Sequence, residues 1–194
     1  MPRRAALLLA LVLAAPATAL AGAQDYEKLS ASVRASMSRT INERPTIDPN
    51  DLETRAWVRV MVKRVRSKFE DEESARDFLI TLRYESRRAG LDPHLMLALV
   101  DVESKFRRYA VSGAGALGYM QVMPFWVNLI GEPAHNLFQM KLNLRYGCTI
   151  FRHYLDRENG NIARALARYN GSLGKPDYPD LVQKAWKEKW AIGV

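Results

Sequence analysis

The sequence predicts a mostly α fold, and three observations carry that expectation. Beyond residue 48, apolar residues recur at helical spacing along most of the chain. Asp-Pro pairs and an Asn stand where helices would start, and glycines stand where they would stop. No strand-length stretch alternates apolar with polar residues.

The first 23 residues stand apart. Arg3 and Arg4 precede an unbroken apolar run, Ala5 to Ala15, and small residues continue to Ala21-Gly22-Ala23 before the polar Gln24-Asp25. That order is the charge, apolar core and small-residue site of a secretory signal peptide. A spanning helix needs about 20 apolar residues, and this run breaks at Pro16. Cleavage next to Gln24 is expected, with cleavage after Ala19 as the alternative. No cysteine lies near the site to take a lipid, and nothing later is apolar enough to span a membrane. Losing Arg3 and Arg4 lowers the net charge from +8 to +6. A positive surface concentrates an acidic polymer, or it only maintains solubility; the charge alone does not separate the two. Cys148 is the single cysteine, so no internal disulfide can form and the fold rests on packing.

Residues 24–46 are polar with no firm period and read as a linker or loosely held arm. Asp48-Pro49 reads as a helix start, followed by an apolar stripe of Leu52, Val58, Met61, Val65 and Phe69. Residues 24–70 thus form an N-terminal arm and an added helix, ahead of a main domain over 71–194. A second helix starts near Asp71, turns Ala75, Phe78, Leu79 and Leu82 inward, and ends at Gly90. Asp92-Pro93 opens a third, whose HLMLALVDV segment (His94 to Val102) is apolar nearly all round and so belongs inside the domain. Gly113 to Gly118 is a glycine-rich bend. Asn143 to about Arg157 is helical, with Leu144, Cys148, Phe151 and Leu155 on one face, and Gly147 suggests the close approach of another helix. Asn161 caps a helix from Ile162 to Tyr169 that Gly171 stops, and a last helix runs from near Pro179 to Trp190.

Glu103 is the candidate catalytic residue. Val100, Leu99 and Met96 lie three, four and seven positions before it, on its own helical face. A carboxyl at the end of an apolar face loses hydration, and the helix C-terminus adds negative potential; both favour the protonated acid. The competing reading is a surface glutamate paired with Lys105 or Arg107. Asp101, two residues earlier, points to another face and is no partner for a two-carboxylate mechanism. His94, His135 and His153 have no metal-ligand spacing, so no metal or cofactor is expected.

Four segments extend the case: Glu103-Ser104; Ser112 through Pro124, reading SGAGALGYMQVMP; Asn143 to Gly147, reading NLRYG; and Ala167 to Gly171, reading ARYNG. In that order and spacing they resemble the soluble lytic transglycosylase (SLT) family over about residues 75–175. The resemblance implies a lysozyme-like, goose-type α-helical domain, to which the helix before residue 70 is an N-terminal addition outside the resemblance. It implies that Glu103 is the catalytic acid, and that Ser104, Ser112, Tyr119, Met120, Gln121, Met123, Tyr169 and Asn170 bind substrate. Gln121 and Met123 would line a glycan groove, and Tyr169 would lie beside the reacting sugar; from the sequence alone Tyr169 also reads as core. Tyr119 stands where the family usually has leucine, and Arg168 where it has alanine.

The implied activity is a lyase reaction on the glycan strands of peptidoglycan, needing no cofactor and taking place in the periplasm. One glutamate would serve as both acid and base, cleaving the bond between N-acetylmuramic acid and N-acetylglucosamine with 1,6-anhydro closure. A hydrolase of the same fold and a non-catalytic wall-binding protein are the rival readings. Basic residues are spread out with no nucleic-acid-binding motif, so nucleic acid is not an expected partner.

Overall fold

A computed structural model describes residues 24–48 and 51–191. The signal-peptide reading falls outside them, as does Pro49. Eight α-helices follow in order among the described residues: α1 (Ala31–Asn42), α2 (Leu52–Val65), α3 (Glu72–Arg88), α4 (Pro93–Ser104), α5 (Phe125–Ile130), α6 (Met140–Arg157), α7 (Ile162–Asn170) and α8 (Asp177–Ala185). A 3-10 turn (Arg66–Lys68) follows α2, and a π-helical turn (Trp186–Trp190) extends α8. Isolated bridges pair Val111 with Leu117 and Leu117 with Val122; no longer strand occurs among the described residues. The mostly α expectation is met. No described helix is long and apolar enough to cross a membrane.

Helix starts follow the expected chemistry. Asp71, Asp92 and Asn161 each accept a backbone N–H from the first turn of their helix, at 2.6, 2.7 and 3.0 Å. Such a cap contributes about 1 kcal/mol. At α2 the cap is Asp51, bonded to the Thr54 N–H at 2.8 Å, and the helix begins at Leu52 rather than at Asp48-Pro49. That shift leaves Leu52 79% exposed, so the expected stripe narrows to Val58, Met61 and Val65, joined by Trp57 and Val62. Phe69 lies past the 3-10 turn and reaches the core through Phe78, ring centroids 5.1 Å apart. The last helix starts two residues before Pro179, and α6 starts three before Asn143.

α4 forms the centre. Leu95 to Val100 are all buried, and the helix packs against α3, α8 and the π turn. The segment expected to be a loose arm contains α1, which packs on α5 and α6. Met37 and Ile41 are its buried residues, only two in three turns, so the period was too sparse to detect. A buried ion network fixes its end. Arg145 of α6 donates to Glu85 of α3 at 3.0 Å and to the carbonyls of Ile41 and Glu43 at 3.0 and 2.7 Å. Arg88 bonds the other Glu85 oxygen at 2.9 Å and the Thr40 carbonyl at 3.0 Å. With Glu85 1% exposed, these charges depend on one another for solvation.

Candidate active site

Two consecutive non-glycine residues in the left-handed region, Lys105 (φ 54°) and Phe106 (φ 63°), end α4 directly after the candidate acid. The chain thereby leaves the core and begins the loop that runs to Pro124. Glu103 is half-buried, and its Oε1 accepts the hydroxyl of Tyr178, on α8, at 2.5 Å. Loss of hydration raises its pKa from 4.5 to about 8, against the lowering effect of the Tyr178 hydrogen bond. Neither alternative partner takes it: Arg107 donates to the Ser104 carbonyl at 3.0 Å, and Lys105 lies 4.0 Å from Asp101. Asp101 faces the π turn, where it accepts from Lys189 Nζ at 2.6 Å and Trp190 Nε1 at 3.3 Å.

The sequence does not single out Tyr178, since the expected last helix starts near Pro179 and the observed one at Asp177. The readable signal is the spacing Tyr178, Val182, Ala185, an apolar stripe at four and seven positions. Burial, and then the nearby charge of Glu103, push its hydroxyl well above the usual tyrosine range, so it remains a donor.

The loop is built from its own hydrogen bonds. Ser112 Oγ accepts the Ala116 N–H at 3.0 Å, and the Ser112 N–H returns to the Ala116 carbonyl at 3.0 Å. Gly118 has φ 76°, and a Cβ there would lie 2.4 Å from Asn143 Nδ2, so glycine is required on both counts. Gln121, itself left-handed at φ 49°, turns its amide inward to donate to the Ala110 and Gly118 carbonyls at 3.2 and 3.0 Å. Asn143 staples the loop to α6: its Oδ1 accepts the Met120 N–H at 2.8 Å, and its Nδ2 donates to the Leu117 and Leu137 carbonyls, both at 2.9 Å.

Met120 runs across α6 at Gly147, where a Cβ would meet its sulfur at 2.3 Å. The close approach expected at Gly147 is therefore made by a loop side chain and not by a helix. The Met120 carbonyl accepts the Tyr169 hydroxyl at 2.7 Å. Tyr169 is 1% exposed and stacks edge-on to Phe151 and Tyr154. Burial, and then Glu103's charge, hold its hydroxyl well above the usual tyrosine range.

Glu103 lies near enough to Tyr169 for its charge to act on that hydroxyl, and Tyr169 in turn holds the Met120 carbonyl; Gln121 and Met123 follow in the same loop. Several candidate side chains are committed internally. Ser104 Oγ donates to the Val100 carbonyl at 3.2 Å, Met120 and Asn170 are buried, and Tyr119 turns toward Phe78, ring centroids 4.9 Å apart. Tyr119 also lines a cavity of about 740 Å³ with Phe69, Phe106 and Arg108, to which Glu103 does not contribute. One participant comes from the arm. Gln24 Oε1 accepts the Met123 N–H and Trp126 Nε1, both at 3.1 Å, and its Nε2 donates to the Gln121 carbonyl at 3.1 Å. Nothing in the aperiodic sequence around Gln24 marked it.

Residues 81–190, more than half of the chain, match the transglycosylase SLT domain family, and the chain belongs to that family. It is similar to the membrane-bound lytic murein transglycosylase C of Actinobacillus pleuropneumoniae serotype 5b, 47% identical over 53 residues, 27% of this chain and 14% of that protein. It is also similar to the transglycosylase of Enterobacteria phage PRD1, 32% identical over 98 residues, 50% of this chain and 36% of that protein. Among solved structures, the lytic transglycosylase Slt of Pseudomonas aeruginosa aligns over 74% of this chain and 25% of its own, with 24% identity and a TM-score of 0.45. The chain therefore spans well under two thirds of the length of these relatives.

Proposed function

We propose that this protein is a peptidoglycan lytic transglycosylase, cutting the β-1,4 bond between N-acetylmuramic acid and N-acetylglucosamine with formation of 1,6-anhydro-N-acetylmuramic acid. The observation that carries the reading is the state of Glu103: a carboxyl with a pKa of about 8, held by one neutral hydroxyl. At neutral pH it bears the proton that a glycosidic oxygen needs in order to leave. Asp101, the nearest acid in sequence, is tied to Lys189 and Trp190, which supports a mechanism with one carboxyl in both roles.

In this scheme Glu103 protonates the bridging oxygen as the C1–O bond breaks, and N-acetylglucosamine leaves with its new hydroxyl. The resulting carboxylate then takes the proton from the muramoyl 6-hydroxyl, whose oxygen bonds to C1. Glu103 ends protonated, and water is not consumed. Tyr178 fixes the carboxyl's rotamer and solvates its charged interval. The sugars lie along Ser112 to Met123 in a lysozyme-like groove, with Tyr169 and Asn170 supporting its floor; neither metal nor cofactor takes part. Residues 1–23 direct the chain to the periplasm, where this substrate is found. The test is mass spectrometry of peptidoglycan digested by the purified protein. Anhydro-terminated muropeptides are the expected products, and reducing-end products alone would assign the chain to the hydrolases.

A further inference from the structure

The segment from Gln24 to Leu29 has no secondary structure, yet it is held at both ends of a short span. At one end, the Gln24 side chain is 5% exposed and its carboxamide is saturated: two N–H groups on the oxygen, and the Gln121 carbonyl on the nitrogen. The Tyr169 hydroxyl also lies within hydrogen-bonding reach of it. At the other end, Glu27 pairs with Arg157 and with Arg168, the latter at 3.3 Å. Between them Tyr26 stays mostly exposed and rests an edge on Phe125, ring centroids 5.6 Å apart.

Two of the Gln24 contacts, with the Gln121 carbonyl and the Met123 N–H, fall on the loop to which the proposed function assigns the glycan. A glutamine carboxamide presents a carbonyl oxygen and an N–H in the same relation as the acetamido group of an N-acetylated sugar. A cradle of two N–H donors and one carbonyl acceptor therefore accepts either. Two groups cannot fill it together.

We propose that residues 24–27 form an intramolecular strap, in which Gln24 occupies an acetamido-binding cradle of the groove and must be displaced before an N-acetylated glycan binds. This inference rests on the proposed function, since it requires that the loop bind sugar. The strap lowers apparent affinity by the fraction of molecules in which it is open. Its geometry also gives Arg168 a purpose. At the position where the resemblance expects alanine, a guanidinium clasps Glu27 while bonding Glu158. The tether beyond is firm, because α1 is anchored through Arg145 and Arg88. A released strap therefore stays close and re-enters once product leaves.

The experiment measures binding of tetra-N-acetylchitotetraose by calorimetry, on a Glu103→Gln background that prevents turnover. Gln24→Ala, which empties the cradle, and Glu27→Ala, which opens the clasp, are each added to that background. Both should tighten binding, by about fivefold or more for Gln24→Ala. In the parent, hydrogen exchange over residues 24–30 should rise when the oligosaccharide is added. Unchanged affinity in both variants would overturn the strap while leaving the groove intact. Weaker binding by Gln24→Ala would also overturn it, making Gln24 a sugar contact. Failure of every folded variant to bind the oligosaccharide would overturn the groove reading itself, and the strap with it.

Discussion

The hydroxyl of Tyr178 meets Oε1 of Glu103 across 75 residues of sequence, so the candidate acid is completed by the C-terminal helix and not by its own segment. Tyr178→Phe removes that hydrogen bond and keeps the ring. Because the bond lowers the Glu103 pKa, its loss should move the alkaline limb of the rate profile to higher pH, with turnover reduced roughly tenfold, equivalent to about 1.4 kcal/mol of barrier. Tyr169→Phe should behave differently. Its hydroxyl serves the Met120 carbonyl, so a loss of about 1 kcal/mol of stability and a smaller fall in turnover are expected. Rate profiles and melting curves of the two variants decide the assignment; a shifted limb in Tyr169→Phe alone would reverse it.

The acid's displaced pKa has consequences for both rate and stability. Activity should persist to about pH 8 and then decline as Glu103 loses its proton. Between pH 4.5 and about 8 the folded protein retains a proton that the unfolded chain releases, so this group makes stability fall as pH rises through that window. Glu103→Gln carries no proton to lose. Its melting temperature should exceed wild type at pH 8 and approach it near pH 5, while its turnover drops by orders of magnitude. Equal pH dependence of melting in the two proteins would contradict a burial-shifted acid.

Gly147→Ala sets two effects against each other. A helical glycine replaced by alanine gains about 1 kcal/mol in propensity. Here the new methyl would meet Met120 Sδ at 2.3 Å and Met120 Cβ at 2.7 Å, and overpacking costs about 1–3 kcal/mol. The steric term should win, lowering melting temperature and, through the Met120 carbonyl under Tyr169, activity as well. Gly147→Ala with Met120→Ala should recover part of the stability lost by either change alone. A double variant that melts at the sum of both losses would remove the Met120 thioether as the cause.

Removing residues 24–43 should destabilise the domain and not merely trim it. Met37 and Ile41 would leave their contacts, at about 1.5–3 kcal/mol each if fully lost, and Arg145 would lose two carbonyl partners. A fall of about 10 °C or more in melting temperature is expected, at ~3 °C per kcal/mol for a chain of this size. A truncated chain that melts like the full one would mean that α1 is dispensable to the core.

Much of this was legible in the sequence wherever one residue type had one physical use. Asp71, Asp92 and Asn161 announce their helices because a short acceptor before an apolar stripe has few other roles, whereas Glu103, ending an apolar face, is told from a surface glutamate only by the four segments around it. Tyr178 and Gln24 were hidden for the opposite reason. Their partners lie on distant segments, and no local period separates a tyrosine that holds an acid from one that fills space. α1 escapes the pattern because only Met37 and Ile41 are buried, and the hold of Arg88 and Arg145 on its last carbonyls leaves no trace in side-chain pattern. Helix α5, six residues after Pro124, is too short to build a period at all.

In α6, Asn143 grips the loop, Arg145 grips the end of α1, Tyr146 bonds His135 at 2.8 Å, and Gly147 admits Met120. Four grips on three different neighbours, the loop at Met120, the end of α1 and His135, are thus keyed to a little over one turn of a single helix. A slip of that helix by one residue would unfasten all four together, as a key cut one notch off lifts none of its pins. The loop running to Pro124 and the amino-terminal helix α1 therefore share one lock, and heat or mutation that opens either should release both in a single transition.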